Sequence, residues 1–542
     1  MAYVTRYTRP GDLVVDLFCQ GRTVAQETVS VGRRALLVGI NPVLLAIARA
    51  ELTPIHRDAL SVAFTRLADT PKGKTTLQRY ICDLYRSACP TCHTLGVAEW
   101  FAWDRDGDYP FRKAVRCPRC ATVQTGPTDE ADMSLAHRIP PRGLAYYYAL
   151  DRVAPPDDAD PATREQAAQL IALYSPRNLT ALMDLCRKVE HLDVTEETMW
   201  ALNGLLLTCF DLGSSLETYE PADGRSHSRP RTLRLPTQYI ERNVWFCLEG
   251  ELTRLLDNPS PAPCLHAVNF ATLLREPDPA YALLPQAARD IHRTIPPSNV
   301  PLMFADPPRP DGVFWALSAL WSGWLWGPAT ARPMRPFLSR RRFDWDWHCR
   351  VLANALKTVP RLLTPEGYLI TLFSDRDRDH PLLTSVCLAA GEAGLRLVSW
   401  GYSPEIGYRL IWQRAPGVTL RSTTVIETEA CVAHAVEAIH TTLEARGEPT
   451  AWPIVHAAIC EHLNRRGETV QPVSEAIAAI QTAREQAAIV EWRRNRTKTA
   501  RVCSGGQQRS PQPFSPLPWP TVSLRPWETC LFSNNSGSHR NW

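Results

Sequence analysis

The chain has no hydrophobic run long enough to cross a bilayer. Its longest, residues 313–326, falls well short of the roughly 20 apolar residues a spanning helix needs. Residues 1–10 contain no apolar signal segment either, so the expectation is a cytoplasmic protein with no membrane partner. Bulk charge is also missing. A formal net charge of +4 over 542 residues means that any nucleic-acid contact must come from local basic patches. Cysteine is plentiful, at 16, yet only four fall in paired CxxC spacing; that fits a reducing compartment and a metal site rather than a disulfide framework. At 44% hydrophobic content the chain can bury a large core, in about two to four folding units.

The paired cysteines carry the most specific signal. Cys89-Pro90-Thr91-Cys92 and Cys117-Pro118-Arg119-Cys120 bracket two apolar segments, 97–103 and 111–116, joined by an Asp/Gly turn at 104–108. This is a β-hairpin between two knuckles, and four thiolates on such turns predict one closed, tetrahedral and therefore structural zinc site. His93 follows Cys92 directly and points away on this reading.

Around this ribbon the elements alternate. Residues 13–18 read as a strand, followed by Cys19-Gln20-Gly21-Arg22-Thr23 and a helix to 31; residues 35–40 read as a second strand, then Asn41-Pro42 and a helix over 44–52. A linker is expected at 53–74. Helical periodicity at 143–153, 164–174, 178–192 and 196–210 makes 135–290 a mainly helical insertion. Its central loop carries Arg225, Arg229, Arg231 and Arg234, which either contact phosphates or form a solvated loop. The apolar run 300–303 then leads into Phe304-Ala305-Asp306-Pro307-Pro308-Arg309, a buried strand stopped at its carboxyl end. A helix at 346–357, a strand at 367–373, a helix at 382–393 and a hairpin of 395–400 with 408–412 follow. Arg332, Arg335, Arg340, Arg341 and Arg342, interleaved with Phe343, Trp345 and Trp347, suit phosphate grip and base stacking, with at least one tryptophan in the core. Residues 417–500 are Ala-rich and helical, a partner-binding or accessory DNA-binding region, and 501–542 lack periodicity and read as a disordered tail.

The Asp306 turn suits one chemistry. Two prolines fix the backbone and remove N–H donors, so the Asp306 carboxylate and the Pro307 carbonyl can both accept from one exocyclic amino group and aim its lone pair. Asp306-Pro307-Pro308, together with Asp16, Phe18, Cys19, Thr23, Asn41 and Pro42 in register, resembles the DNA amino-methyltransferases that act on adenine N6 or cytosine N4, in the large zinc-ribbon-containing bacterial and archaeal form. The resemblance covers roughly residues 10–55 and 295–415. It implies an α/β fold: a Rossmann-like class I methyltransferase sheet (1–60 and 295–416) interrupted by a zinc ribbon (78–130) and a helical target-recognition insertion (131–294), with a helical region (417–500) after it. It also implies S-adenosylmethionine bound over Asp16, Phe18, Cys19, Gly21, Thr23 and Asn41, a flipped base held by Asp306, Pro307, Pro308 and Arg309, and DNA, with other subunits of a modification or defence system, as partners.

Four positions depart from that family's pattern. Gln20 and Arg22 replace glycines that let the backbone approach the ligand, Gly39 stands where an acid hydrogen-bonds the ribose, and Arg309 replaces a tyrosine that stacks on the base. Losing one charged hydrogen bond costs about 1.5–3 kcal/mol, or tenfold to a hundredfold in affinity. The expectation is a DNA-binding member of the family with weakened or lost methyl transfer; the alternatives are an active site-specific DNA methyltransferase, an RNA-directed one, and a complex scaffold.

Overall fold

The computed structural model describes residues 1–54, 56–220, 235–257, 267–338, 343–375, 377, 379–415, 424–448 and 450–499, with side chains through residue 487. Expectations for Arg225, Arg229, Arg231, Arg234, Arg340, Arg341, Arg342 and the 501–542 tail lie outside these residues. Packing divides the described chain into two units. The first comprises 1–39, 267–310 and 343–499, the second 40–257 and 311–338.

The first unit is built on a seven-stranded sheet. Its strands are β1 (Leu13–Asp16), β2 (Arg34–Val38), β3 (Tyr281–Leu284), β4 (Val300–Ala305), β5 (Leu363–Phe373), β6 (Leu395–Ser403) and β7 (Gly407–Arg414). They lie in the order β3-β2-β1-β4-β5-β7-β6, with only β7 antiparallel to the rest. β1 is buried along its whole length, as its unbroken Leu13-Val14-Val15 run demands of a central parallel strand. Helix α1 (Ala2–Tyr7) lies on one face, where Tyr7 packs against Tyr368 with ring centroids 4.3 Å apart; Val4, Val14, Leu302, Phe304 and Ile370 form the core beneath. Helix α2 (Thr23–Ser30) joins β1 to β2. A much larger core fills the other face, under α3 (Trp345–Leu356), α4 (Pro381–Glu392), α5 (Thr428–Arg446), α6 (Trp452–Arg466) and α7 (Val473–Thr499).

Three expected boundaries fall differently. β3 lies inside the stretch taken for a helical insertion ending at 294, because it completes the sheet by pairing with β2. The helices after 417 are not a separate accessory region: Cys431, Ala435, Val455, Ile459, Ala476 and Ile480 bury their apolar faces in the same core as the sheet. The apolar run 313–326, which the expected boundaries placed in the 295–416 part of the sheet domain, forms helix Gly312–Trp326 of the second unit, where Leu317, Leu320, Trp321 and Trp324 are buried. At 15 residues it is apolar nearly all round, as a helix inside a large core must be. No helix among the described residues is long and apolar enough to cross a membrane.

The second unit combines helices with an antiparallel sheet. Strands Arg86–Ala88, Leu95–Asp104, Tyr109–Arg116 and Val123–Pro127 pair in sequence, and Gln238–Arg242 pairs with residues 100–104 on the same edge of Leu95–Asp104 as Arg86–Ala88. Helices Leu144–Val153, Pro161–Ile171, Pro176–Glu190 and Glu196–Leu212 match the sequence periodicity to within a few residues. The last three are N-capped by Asp160, Ser175 and Thr195. The expected linker at 53–74 instead holds helix Arg57–Asp69, whose Leu60, Ala63 and Leu67 form one buried stripe.

Candidate active site and metal centre

The strand order reverses at β1. The chain leaves β1 for β2 on one side, while β4 occupies the other, and in open α/β sheets ligands bind in the crevice at the carboxyl ends of such strands. Asp16 ends β1 in register with Phe304, two residues before Asp306, so both acids stand at the same end of adjacent strands. Leu17 N–H extends the ladder to the Phe304 carbonyl at 2.9 Å.

Beyond β1 the loop turns on Asp16. Its buried Oδ1 accepts from the N–H groups of Phe18 and Cys19, each at 3.1 Å; burial pushes its carboxyl up to about 6, against the pull of those two donors. The carboxylate is thereby committed to shaping the loop. Cys19 adopts φ 39° and Gly21 φ 155°, and Thr23 opens α2, whose N-terminus has no side-chain cap. Gln20 Nε2 is buried with no hydrogen-bond partner among the described residues. Gly39 follows β2, donates its N–H to the Leu284 carbonyl and brings no carboxylate of its own. Asn41 falls in the second unit, where its Oδ1 accepts from Val43 N–H at 3.0 Å and caps helix Pro42–Leu52.

The Asp306 turn is held by groups the sequence did not point to. Asp306 is half-buried, and the Pro308 carbonyl accepts from His348 Nε2 at 2.8 Å. A carbonyl only accepts, so Nε2 carries the proton and Nδ1 accepts from the Ser385 hydroxyl at 2.7 Å. Burial holds His348 down at about 4, which keeps the ring neutral. Arg309 donates to the Ser374 carbonyl at 2.8 Å and pairs with Asp375 at 3.3 Å and Asp377 at 3.4 Å. Burial raises the Asp375 carboxyl, while Leu383 N–H and Arg309 act against it. Arg309 was expected among the residues that hold a flipped base; its guanidinium instead ties the turn to the loop after β5.

The basic stretch needs a sharper correction. Arg335 was expected at a nucleic-acid surface, but it is buried, and it donates to the carbonyls of Val153, Asp158 and Pro328 while pairing with the Asp158 carboxylate. Arg332 is exposed and pairs with the same carboxylate at 2.9 Å. Asp158 is held below the usual carboxylate range by these hydrogen bonds, Arg332 first. Arg335→Ala should therefore cost about 2–4 kcal/mol of stability, since it removes a buried guanidinium and leaves the buried Val153 carbonyl without its donor, while Asp158 keeps Arg332. Arg332→Ala should cost under about 1 kcal/mol. Chemical denaturation of the two variants checks this, and a neutral Arg335→Ala would restore the surface reading. Of the aromatics, Trp345 packs against the core of the first unit, as expected of at least one.

The four ribbon cysteines converge. Their sulfurs all lie within 4.8 Å of one another, with Cys89 and Cys120 4.0 Å apart and Cys92 and Cys117 3.4 Å apart. A tetrahedron of thiolates around zinc has edges of about 3.8 Å, so the set can hold one metal ion. The knuckles repeat each other in detail. The residue after the second cysteine, His93 or Ala121, takes a left-handed φ near 60° and donates its N–H to the carbonyl of the first cysteine at 3.0 Å. Thr91 N–H and Cys120 N–H donate to the sulfurs of Cys89 and Cys117. Between them the hairpin strands approach so closely at Gly96 that a Cβ there would lie 2.6 Å from the Arg116 carbonyl. No family model, curated protein or solved structure matches this chain.

Proposed function

We propose that the first unit is a Rossmann-like class I methyltransferase fold of the DNA amino-methyltransferase type, in a protein that binds DNA and in which methyl transfer to adenine N6 or cytosine N4 is weakened or lost. The observation that carries this reading is the meeting of Asp16 and Asp306, far apart in sequence, at the carboxyl ends of adjacent strands where the sheet order reverses. The fit to S-adenosylmethionine is partial. The tight loop at Cys19 and Gly21, the uncapped N-terminus of α2 and the unpartnered Gln20 amide suit its carboxylate end. Gly39 offers the ribose nothing to bind. When bound, the cofactor supplies the methyl group. The chain's own part is to hold an amino group between the Asp306 carboxylate and the Pro307 carbonyl, so that its lone pair is oriented. Arg309 cannot replace the tyrosine ring, because its guanidinium is bound by Ser374, Asp375 and Asp377; base stacking on an aromatic is worth about 1–3 kcal/mol. In the second unit the four thiolates hold one structural zinc.

An active enzyme is favoured by the intact Asp306-Pro307-Pro308 turn and disfavoured by four altered contact positions. Calorimetric titration separates the two. Gln20→Gly with Arg22→Gly and Gly39→Asp should bind S-adenosylmethionine about tenfold to a hundredfold more tightly than the unaltered protein. Robust methyl transfer to DNA by the unaltered protein, abolished by Asp306→Ala, would overturn the weakened reading. Failure of both proteins to bind the cofactor would overturn the family reading itself.

A further inference from the structure

We infer that His348 is the positioning residue of the Asp306-Pro307-Pro308 turn, anchoring it through the Pro308 carbonyl so that Asp306 and the Pro307 carbonyl meet an amino group at a fixed place; this rests on the amino-methyltransferase reading. The turn cannot hold itself. Pro307 and Pro308 have no N–H, and their rings lock φ at both positions. A residue before proline is confined to extended conformations, which fixes Asp306 and Pro307 as well. The freedom left at the end of the motif is ψ of Pro308, which sets both its carbonyl direction and the course of the chain into Arg309.

His348 removes that freedom. Its Nε2–H reaches the Pro308 carbonyl at 2.8 Å, and the Ser385 hydroxyl holds the other ring nitrogen at 2.7 Å, so α3 and α4 together orient one imidazole. The ring is only 6% exposed, with the Trp345 ring edge-on at 5.3 Å. An ordinary core histidine would spend its donor on any nearby acceptor. This one spends it on the backbone of the turn that carries the candidate chemistry, and the Arg309 contacts to Ser374, Asp375 and Asp377 hold the next residue.

The probe is a random-sequence DNA duplex library that keeps adenines and cytosines as targets and carries scattered 2-aminopurines as their stacked neighbours, whose fluorescence rises when the adjacent base leaves the stack. The unaltered protein should raise the signal. His348→Leu should weaken this capture at least tenfold, and His348→Gln, which keeps a donor near Nε2, should stay within about threefold. Both variants lose the Ser385 contact, so a purely structural role would make capture follow the melting temperature in both. Equal capture by His348→Leu and the unaltered protein, or losses that track stability, would overturn the proposal and leave the family reading standing. No signal from the unaltered protein would overturn that reading and the proposal with it. A second readout is pH. The folded ring, held near 4, stays neutral while an unfolded histidine charges below about 6.5. Stability should therefore fall as pH drops from 6.5 towards 4, and His348→Gln should flatten that slope. An unchanged slope would count against the neutral donor.

Discussion

Replacing Cys89 and Cys117 together with serine should unfold the ribbon and take part of the second unit with it. The thiols lie within 4.8 Å of one another, and the cysteine-lined tip has few apolar contacts to substitute for a metal: Leu95 and Val123 beside it are both exposed. Structural zinc contributes about 10–16 kcal/mol of binding free energy in small zinc domains, comparable to or larger than the 5–15 kcal/mol that holds a typical domain folded. The hairpin strands Leu95–Asp104 and Tyr109–Arg116 pair on one side with Val123–Pro127 and on the other with Gln238–Arg242, so disorder at the knuckles spreads into that sheet. Metal analysis should find one zinc per chain in the unaltered protein, none in the double variant, and a broadened unfolding transition. The same broadening should follow a strong chelator and reverse on adding zinc. Substoichiometric metal with all four thiols freely titratable would defeat the assignment.

How much of this was legible in the sequence depended on whether an element's signal was local. The helices Pro176–Glu190 and Glu196–Leu212 carry their caps and apolar spacing within themselves, and the hairpin of β6 and β7 carries its own alternation. β3 carries no such mark. It is four residues long, and its partner β2 lies far earlier in the chain, so only the folded sheet identifies it. Helix Arg57–Asp69 has a narrow stripe of Leu60, Ala63 and Leu67 among polar residues, which reads as a linker until a core exists to cover it. The site divides the same way. Paired cysteines announce themselves, whereas His348 binds a backbone carbonyl that leaves no trace in residue types. Arg335 was misplaced for a related reason: an arginine among prolines looks exposed, and the carbonyls and acid that surround it come from another part of the chain.

The second unit also contains a charge pair whose disruption should rival the loss of a core side chain. Arg177, on helix Pro176–Glu190, and Glu241, on strand Gln238–Arg242, are each only 2% exposed. Arg177 donates to Glu241 through Nε at 2.8 Å and again through Nη2, and Glu241 accepts further bonds from Trp103 Nε1 at 2.6 Å and the Ser175 hydroxyl. The guanidinium lies 4.4 Å from the centre of the Phe101 ring. Burial opposes the charge on Arg177, but the charge and hydrogen bonds of Glu241 outweigh it and raise its affinity for the proton. Removing either partner leaves the other charged and dry, a loss of about 3–5 kcal/mol. Glu241→Leu and Arg177→Met should each destabilise the protein by that amount. The double variant should lose less than the sum, because the two charges go together and only the Trp103 N–H and the Ser175 hydroxyl are left without their acceptor. Denaturant unfolding of the four proteins measures the coupling. Additive losses, or single losses under about 1 kcal/mol, would mean that the strand carrying Glu241 is held to the helices by apolar packing and not by this pair.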